Sequence, residues 1–179
     1  DGGMSLGQRP ALSADAALVA ALFAVDPVGL GGVALRSPAG PLRDTWLALL
    51  RQCLPEATPW LRVPHHATDA ALLGGLDLAA TLQAARPVLQ PGLLARADGG
   101  TLLLGSAERT PALVASLLAS VLDHGEIRLQ RDGLSQRQPT RWLLVALDET
   151  VLESDSPEDA LPAALSERLA LHLDLRSTR

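Results

Sequence analysis

Gly31-Gly32-Val33-Ala34-Leu35-Arg36-Ser37-Pro38-Ala39-Gly40-Pro41-Leu42-Arg43-Asp44-Thr45 runs into Trp46-Leu47-Ala48-Leu49-Leu50. The order reads as a short apolar strand, a tight turn and an amphipathic helix. That is the frame of a phosphate-binding loop, G-x-x-x-x-G-K-[ST], in which glycines let backbone N–H groups close on phosphate, the Lys reaches the β/γ-phosphates and the hydroxyl holds Mg²⁺. Here the four defining positions hold Ser37, Leu42, Arg43 and Asp44, with Gly40 left in the turn. The frame is present without its chemistry.

Outward from this stretch, composition bounds the answer. The 179 residues suit one domain with a sizeable core, and 47% apolar residues argue against disorder. With one Phe, three Trp and no Tyr, the core must be built from Leu, Ala and Val. A net charge of −5 without a basic block speaks against a nucleic-acid partner. No apolar run reaches the ~18 residues of a membrane span, and no signal peptide is legible, so we expect a cytoplasmic protein. Asp1-Gly2-Gly3 reads as a tag remnant before Met4, leaving 4–179 as a single α/β domain. The lone Cys53 excludes an internal disulfide and, at helical spacing, reads as a small buried apolar residue.

Ser13 caps an expected helix over 12–25, which Asp26-Pro27 stops, and residues 26–32 read as a loop. Residues 33–35 form a strand and 44–54 a helix ended by Pro55. Trp60–Pro64 is a second strand. His65-His66 would point to opposite faces of a strand, with no Cys or nearby carboxylate to complete a ligand set, so we expect a solvated loop and no metal. A helix over 78–85 and a turn-rich excursion over 86–94 precede Thr101-Leu102-Leu103-Leu104, an apolar strand fit for the centre of a parallel sheet. In a P-loop ATPase such a strand ends in Asp-Glu; here it ends in Gly105-Ser106, with Glu108 beyond, expected as an exposed residue at a helix start.

Thr110-Pro111 opens a helix to Asp123, with Thr110 as its cap. Gly125 to Pro139 reads as a hairpin turning at Asp132-Gly133, its Arg128, Arg131 and Arg137 outward on a solvated face. Residues 141–148 form a buried strand, 149–159 an acidic surface stretch, 161–169 a short helix, and 170–175 a last strand with His172 and Asp174 outward. Five strands mostly separated by helices predict a mostly parallel α/β sheet sandwiched by helices.

The order of these pieces resembles the AAA+ module of magnesium chelatase, most of all the N-terminal part of its D subunit, the degenerate partner of the ATP-hydrolysing I subunit. The segments that carry it are Val25-Asp26-Pro27 with Gly31-Gly32-Val33; Leu73-Gly74-Gly75-Leu76-Asp77-Leu78, similar to the helix-2 insert; Pro91-Gly92-Leu93-Leu94-Ala95 with Asp98-Gly99-Gly100; Gly125-Glu126 to Arg141, similar to the hairpin before sensor 1; and Leu165-Ser166-Glu167-Arg168-Leu169 to Leu175. Each is weak alone; their order from about 12 to 175 is specific.

The resemblance implies a P-loop NTPase-like AAA+ core with a helix-2 insert and a pre-sensor-1 β-hairpin, without the helical lid, as the N-terminal fragment of a longer subunit. It aligns Ser37, Gly40, Leu42, Arg43 and Asp44 with Walker A, Gly105 and Ser106 with Walker B, and Asp148 with the sensor-1 Asn. All but Gly40, which keeps the turn, are departures that remove hydrolysis. Arg168 falls where the family places an arginine finger that reaches the neighbour's γ-phosphate. From the residues alone, Arg168 is a helix-terminal Arg paired with Glu167 or Glu158; the resemblance favours the finger.

The implied role is a platform and coupler. The partners would be the ATP-hydrolysing I subunit in a mixed AAA+ ring and the large porphyrin-binding H subunit. ATP and Mg²⁺ would be used by the partner, with no cofactor held tightly by this chain, in Mg²⁺ insertion into protoporphyrin IX for (bacterio)chlorophyll synthesis. Two alternatives stand: an active ATPase with Arg43 on phosphate and Glu108 as base, and a MoxR-like interaction or chaperone module.

Overall fold

The computed structural model describes residues 12–64, 66–131, 133–150 and 160–176. The tag remnant at 1–3, Met4, His65, Asp132 and the acidic stretch 151–159 with Glu158 lie outside the described residues.

Five strands form one parallel sheet: β1 (Gly32–Arg36), β2 (Trp60–Val63), β5 (Thr101–Leu104), β8 (Leu143–Asp148) and β9 (Leu171–Asp174), in the order β2-β5-β8-β1-β9. Central β8 is buried throughout because its alternate residues feed two cores. Leu143, Val145 and Leu147 join Val33 and Leu35 of β1 against helices α1 (Ala14–Val25) and α3 (Pro41–Cys53). Leu144 and Ala146 join Leu102 and Leu104 of β5 against α7 (Ala112–His124) on the other face. Trp46 of α3 is fully buried and donates its indole N–H to the Ala16 carbonyl of α1 at 2.9 Å.

Gly32 lets the two central strands meet: a Cβ there would lie 2.4 Å from the Leu144 carbonyl oxygen. Gly125, at φ +64°, ends α7 in the left-handed region and donates to the Val121 carbonyl at 2.8 Å. The chain then turns into the antiparallel ribbon β6 (Glu126–Arg131) and β7 (Leu134–Pro139). A second ribbon, β3 (Gly74–Leu76) with β4 (Leu89–Pro91), encloses the short helix α5 (Leu78–Ala84). Leu73, Leu89 and Pro91 face Ile127, Leu129 and Gln138 across a groove of about 410 Å³.

Ser13 caps α1 as expected, accepting from the Ala16 N–H. Several expectations need correction. Residues 26–32 are not all loop: Asp26 caps a one-turn helix, α2 (Pro27–Leu30), with its carboxylate on the Gly29 N–H at 2.8 Å. Helix α3 begins three residues early because Pro41, with φ preset, starts it directly after Gly40. The excursion over 86–94 contains β4, since Gly74 and Gly92 permit backbone contact between the ribbon's ends. Cys53 is exposed, on the solvent side of the last turn of α3. Thr110 provides no side-chain cap; α7 starts from Pro111. No helix among the described residues is long and apolar enough to cross a membrane.

Candidate functional site

Parallel α/β sheets bind ligands at the carboxyl ends of their strands, and the candidate residues gather there. Ser37 follows β1, Ser106 follows β5, and Asp148, Glu149 and Thr150 end or follow β8. Ser37 is buried; its N–H donates to the Asp148 carbonyl at 2.9 Å and its hydroxyl to the Pro38 carbonyl at 3.1 Å. This closes the loop against the end of β8.

Arg43 stands at the Walker A lysine position with its side chain only 9% exposed, and Nη1 donates to Glu149 Oε1 at 2.6 Å. Its Nε is buried with no hydrogen-bond partner. The other Glu149 oxygen accepts from the Ser106 hydroxyl at 3.1 Å, and the Glu149 N–H donates to Glu108 Oε2 at 3.0 Å. Arg43 of the loop after β1 and Ser106 after β5 are thus joined through one carboxylate of the chain's own, that of Glu149. Glu108 is correspondingly not an exposed helix-start residue: its side chain is 10% exposed and held on that N–H. Ser106 takes φ +46°, a left-handed turn uncommon outside glycine, just where its hydroxyl meets Glu149.

Asp148 sits beside this cluster. Burial pushes its carboxyl up, but hydrogen bonds from the Thr150 hydroxyl at 2.6 Å, the Thr150 N–H at 3.0 Å and Arg36 Nε at 2.9 Å outweigh that and hold it below the usual aspartate range. Just past β9, Arg176 likewise depresses Asp174, the strand's last residue, through a 2.7 Å contact, and reaches across to the Thr150 carbonyl at 3.2 Å.

The rest of the loop faces elsewhere. Leu42 is partly buried and turns against the core that α1 and α3 share with the sheet, and its side chain stands at the position where the phosphate-loop pattern has glycine. Asp44 is exposed on the outer side of α3, in a groove with Leu12 and Gln52. Gly40 precedes the helix with no side-chain cap, and Pro41 at the first turn has no N–H to offer an anion. Gly105 and Ser106 border a separate hollow of about 290 Å³ with Val63 and Thr110.

Arg168 is not part of this cluster. Its carbonyl lies against Gly31, at the opposite end of β1 from Ser37, so about 16 Å of strand separates it from the chain's own phosphate loop. Its Nε and Nη2 grip both oxygens of Asp123 on α7 at 2.8 and 2.9 Å, and Nη1 donates to the Ala164 carbonyl at 2.7 Å. The partner is therefore Asp123, not Glu167. The fork holds Asp123 below the usual carboxylate range. On the β6–β7 ribbon, Arg128 bonds Glu126 at 2.6 Å while Arg137 stays mostly exposed.

Sequence reasoning missed Glu149, Thr150, Arg36, Pro41 and Asp123. Pro41 was readable, since a proline inside a phosphate loop removes an amide donor. Glu149, Arg36 and Asp123 act through partners distant in the chain, and Thr150 through its near neighbour Asp148, itself reached from Arg36.

No family model matches the chain. Among curated proteins it is similar to the magnesium-chelatase 60 kDa subunits of Rhodobacter capsulatus, 39% identical over 89% of this chain and 24% of the relative, and of Cereibacter sphaeroides, 40% identical over 86% and 23%. The 38 kDa magnesium-chelatase subunit of Rhodobacter capsulatus is 29% identical over 99% of the chain and 48% of its own length. A solved structure described as the complex between subunits BchI and BchD of magnesium chelatase matches with a TM-score of 0.64 and 26% identity, over 88% of this chain and 57% of that one. The chain spans about a quarter of the length of the 60 kDa relatives.

Proposed function

The chain belongs to the AAA+ subunits of the magnesium-chelatase family, and from that premise we propose that it is a D-type, non-hydrolysing module that assembles with the ATP-hydrolysing I subunit. The observation that carries this reading is the Arg43–Glu149 ion pair. The residue that should meet β/γ-phosphate is buried on a carboxylate of its own chain, with Ser106 on that carboxylate's other oxygen. A phosphate reaching Arg43 must displace Glu149 and meet its negative charge; Leu42 and Pro41 supply neither space nor an extra donor.

The module then keeps the AAA+ shape to stand in a mixed ring, and ATP and Mg²⁺ are used at the partner's site. Arg168, far from the chain's own loop and partly exposed, supplies charge to the neighbour's γ-phosphate. Acting as a finger in trans, it stabilises charge that develops in phosphoryl transfer. In the whole enzyme this serves Mg²⁺ insertion into protoporphyrin IX held by the large porphyrin-binding H subunit.

Two measurements test the reading. Labelled ATP with Mg²⁺ should show no saturable binding or turnover on this protein alone; turnover abolished by Glu108→Ala would overturn the non-hydrolysing role. Mixed with the I subunit, Arg168→Ala should leave assembly intact and lower ATPase kcat at least about tenfold at the sites it serves. An unchanged rate removes the trans finger.

A further inference from the structure

We propose that Asp123 is the positioning residue for Arg168: it fixes the guanidinium at the surface with a pair of its donors uncommitted within the chain. This rests on the reading of Arg168 as a finger in trans.

A guanidinium carries five N–H donors in one plane. Three are committed within the chain: Nε and one Nη2 donor to the two Asp123 oxygens, and one Nη1 donor to the Ala164 carbonyl. Two remain, one on each terminal nitrogen. The committed bonds come from different elements, Asp123 from the last turn of α7 and Ala164 from α8 (Ala163–Ser166). Both flank the start of β1, where the Arg168 carbonyl lies against Gly31. The plane is therefore set from two sides by backbone-anchored groups. The side chain remains 32% exposed, so the guanidinium sits at the surface with two of its donors uncommitted within the chain.

A fork of this kind recognises a doubly oxygenated anion such as a terminal phosphate. An arginine free to rotate would lose rotamer entropy on meeting that anion; one already held by Asp123 has lost it on folding. The gain appears where charge develops, in kcat, and not in how tightly the neighbour holds ATP.

The experiment uses the full natural protein carrying this chain, reconstituted with the I subunit and Mg-ATP, with assembly followed by sedimentation. Asp123→Asn and Asp123→Ser are compared with Arg168→Ala and with the double variant Asp123→Asn/Arg168→Ala. We expect each Asp123 variant to fold and assemble, to lower kcat for ATP roughly three- to tenfold, and to leave KM for ATP within about twofold. In the Arg168→Ala background, Asp123→Asn should have no further effect. If Arg168→Ala slows the reaction but the Asp123 variants do not, or speed it, the positioning role is overturned and the finger stands. An equal loss from Asp123→Asn with Arg168 already removed would also overturn it, as a packing effect. If Arg168→Ala changes nothing, the finger reading fails and this inference with it.

Discussion

At the scale of single residues, the decisive substitution is a buried arginine that found a new anion. Removing Glu149 leaves Arg43 charged, 9% exposed and unpaired, a cost greater than the pair's own contribution. Glu149→Ala should therefore destabilise the fold by about 2 kcal/mol, discounted because Glu149 is one-third exposed. The double change Arg43→Met/Glu149→Gln should recover most of that in urea unfolding midpoints. Asp148 gives a pH signature. Its folded pKa is depressed, so its stabilising contribution is present above the ordinary aspartate value and is lost as pH falls through the lower folded value. Asp148→Asn should flatten the acid limb of a stability–pH profile below about pH 4. These partners were not legible in the sequence: Arg43 and Glu149 are 106 residues apart, and spacing has nothing to say across that gap. Cys53 failed for a different reason. Helical spacing puts it near Trp46 and Leu50, but α3 rotates it past the edge of the apolar stripe, and one residue type cannot reveal where a stripe ends.

At the scale of elements, local signals were strong where backbone chemistry is local. Ser13, the near-continuous apolar runs at 101–104 and 141–148, and the alternating segments about Asp132-Gly133 predict α1, β5, β8 and the β6–β7 ribbon nearly to their ends. Boundaries slipped where a proline or an Asx cap acted within one turn, at α2 and at the start of α3. The seam between elements carries the cost of error. Gly32→Val would drive a side chain into the Leu144 carbonyl and the Leu169 side chain, and should cost about 1–3 kcal/mol or separate β1 from β8. Trp46→Ala should cost about 3–5 kcal/mol, since it empties a fully buried site between α1 and α3 and removes the indole hydrogen bond to the Ala16 carbonyl. Thermal unfolding of both variants checks the ranking.

For the whole molecule, periodicity implied parallel strands with helices on both faces, and the structure has them. It did not specify that β1 lies between β8 and β9, because strand order depends on crossovers that leave no trace in a window of residues. That order matters for the site. It sets Ser37, Asp148 and Asp174 along one edge of the sheet, and leaves Arg168 at the other end of β1. The chain's own loop and its surface arginine therefore belong to different boundaries of the molecule.

The Glu149 carboxylate differs from a nucleotide in one further respect: it cannot leave. A tethered anion has a local concentration set by chain geometry, independent of any pool. A subunit that binds ATP gains stability as the logarithm of the nucleotide supply; one that carries its own anion has that term frozen in. Its melting temperature should stay flat from zero to millimolar Mg-ATP, where an ATP-binding neighbour's climbs. On the reading proposed above, such a subunit would be the stationary part of a mixed ring, against which the movement of its ATP-hydrolysing neighbours is measured.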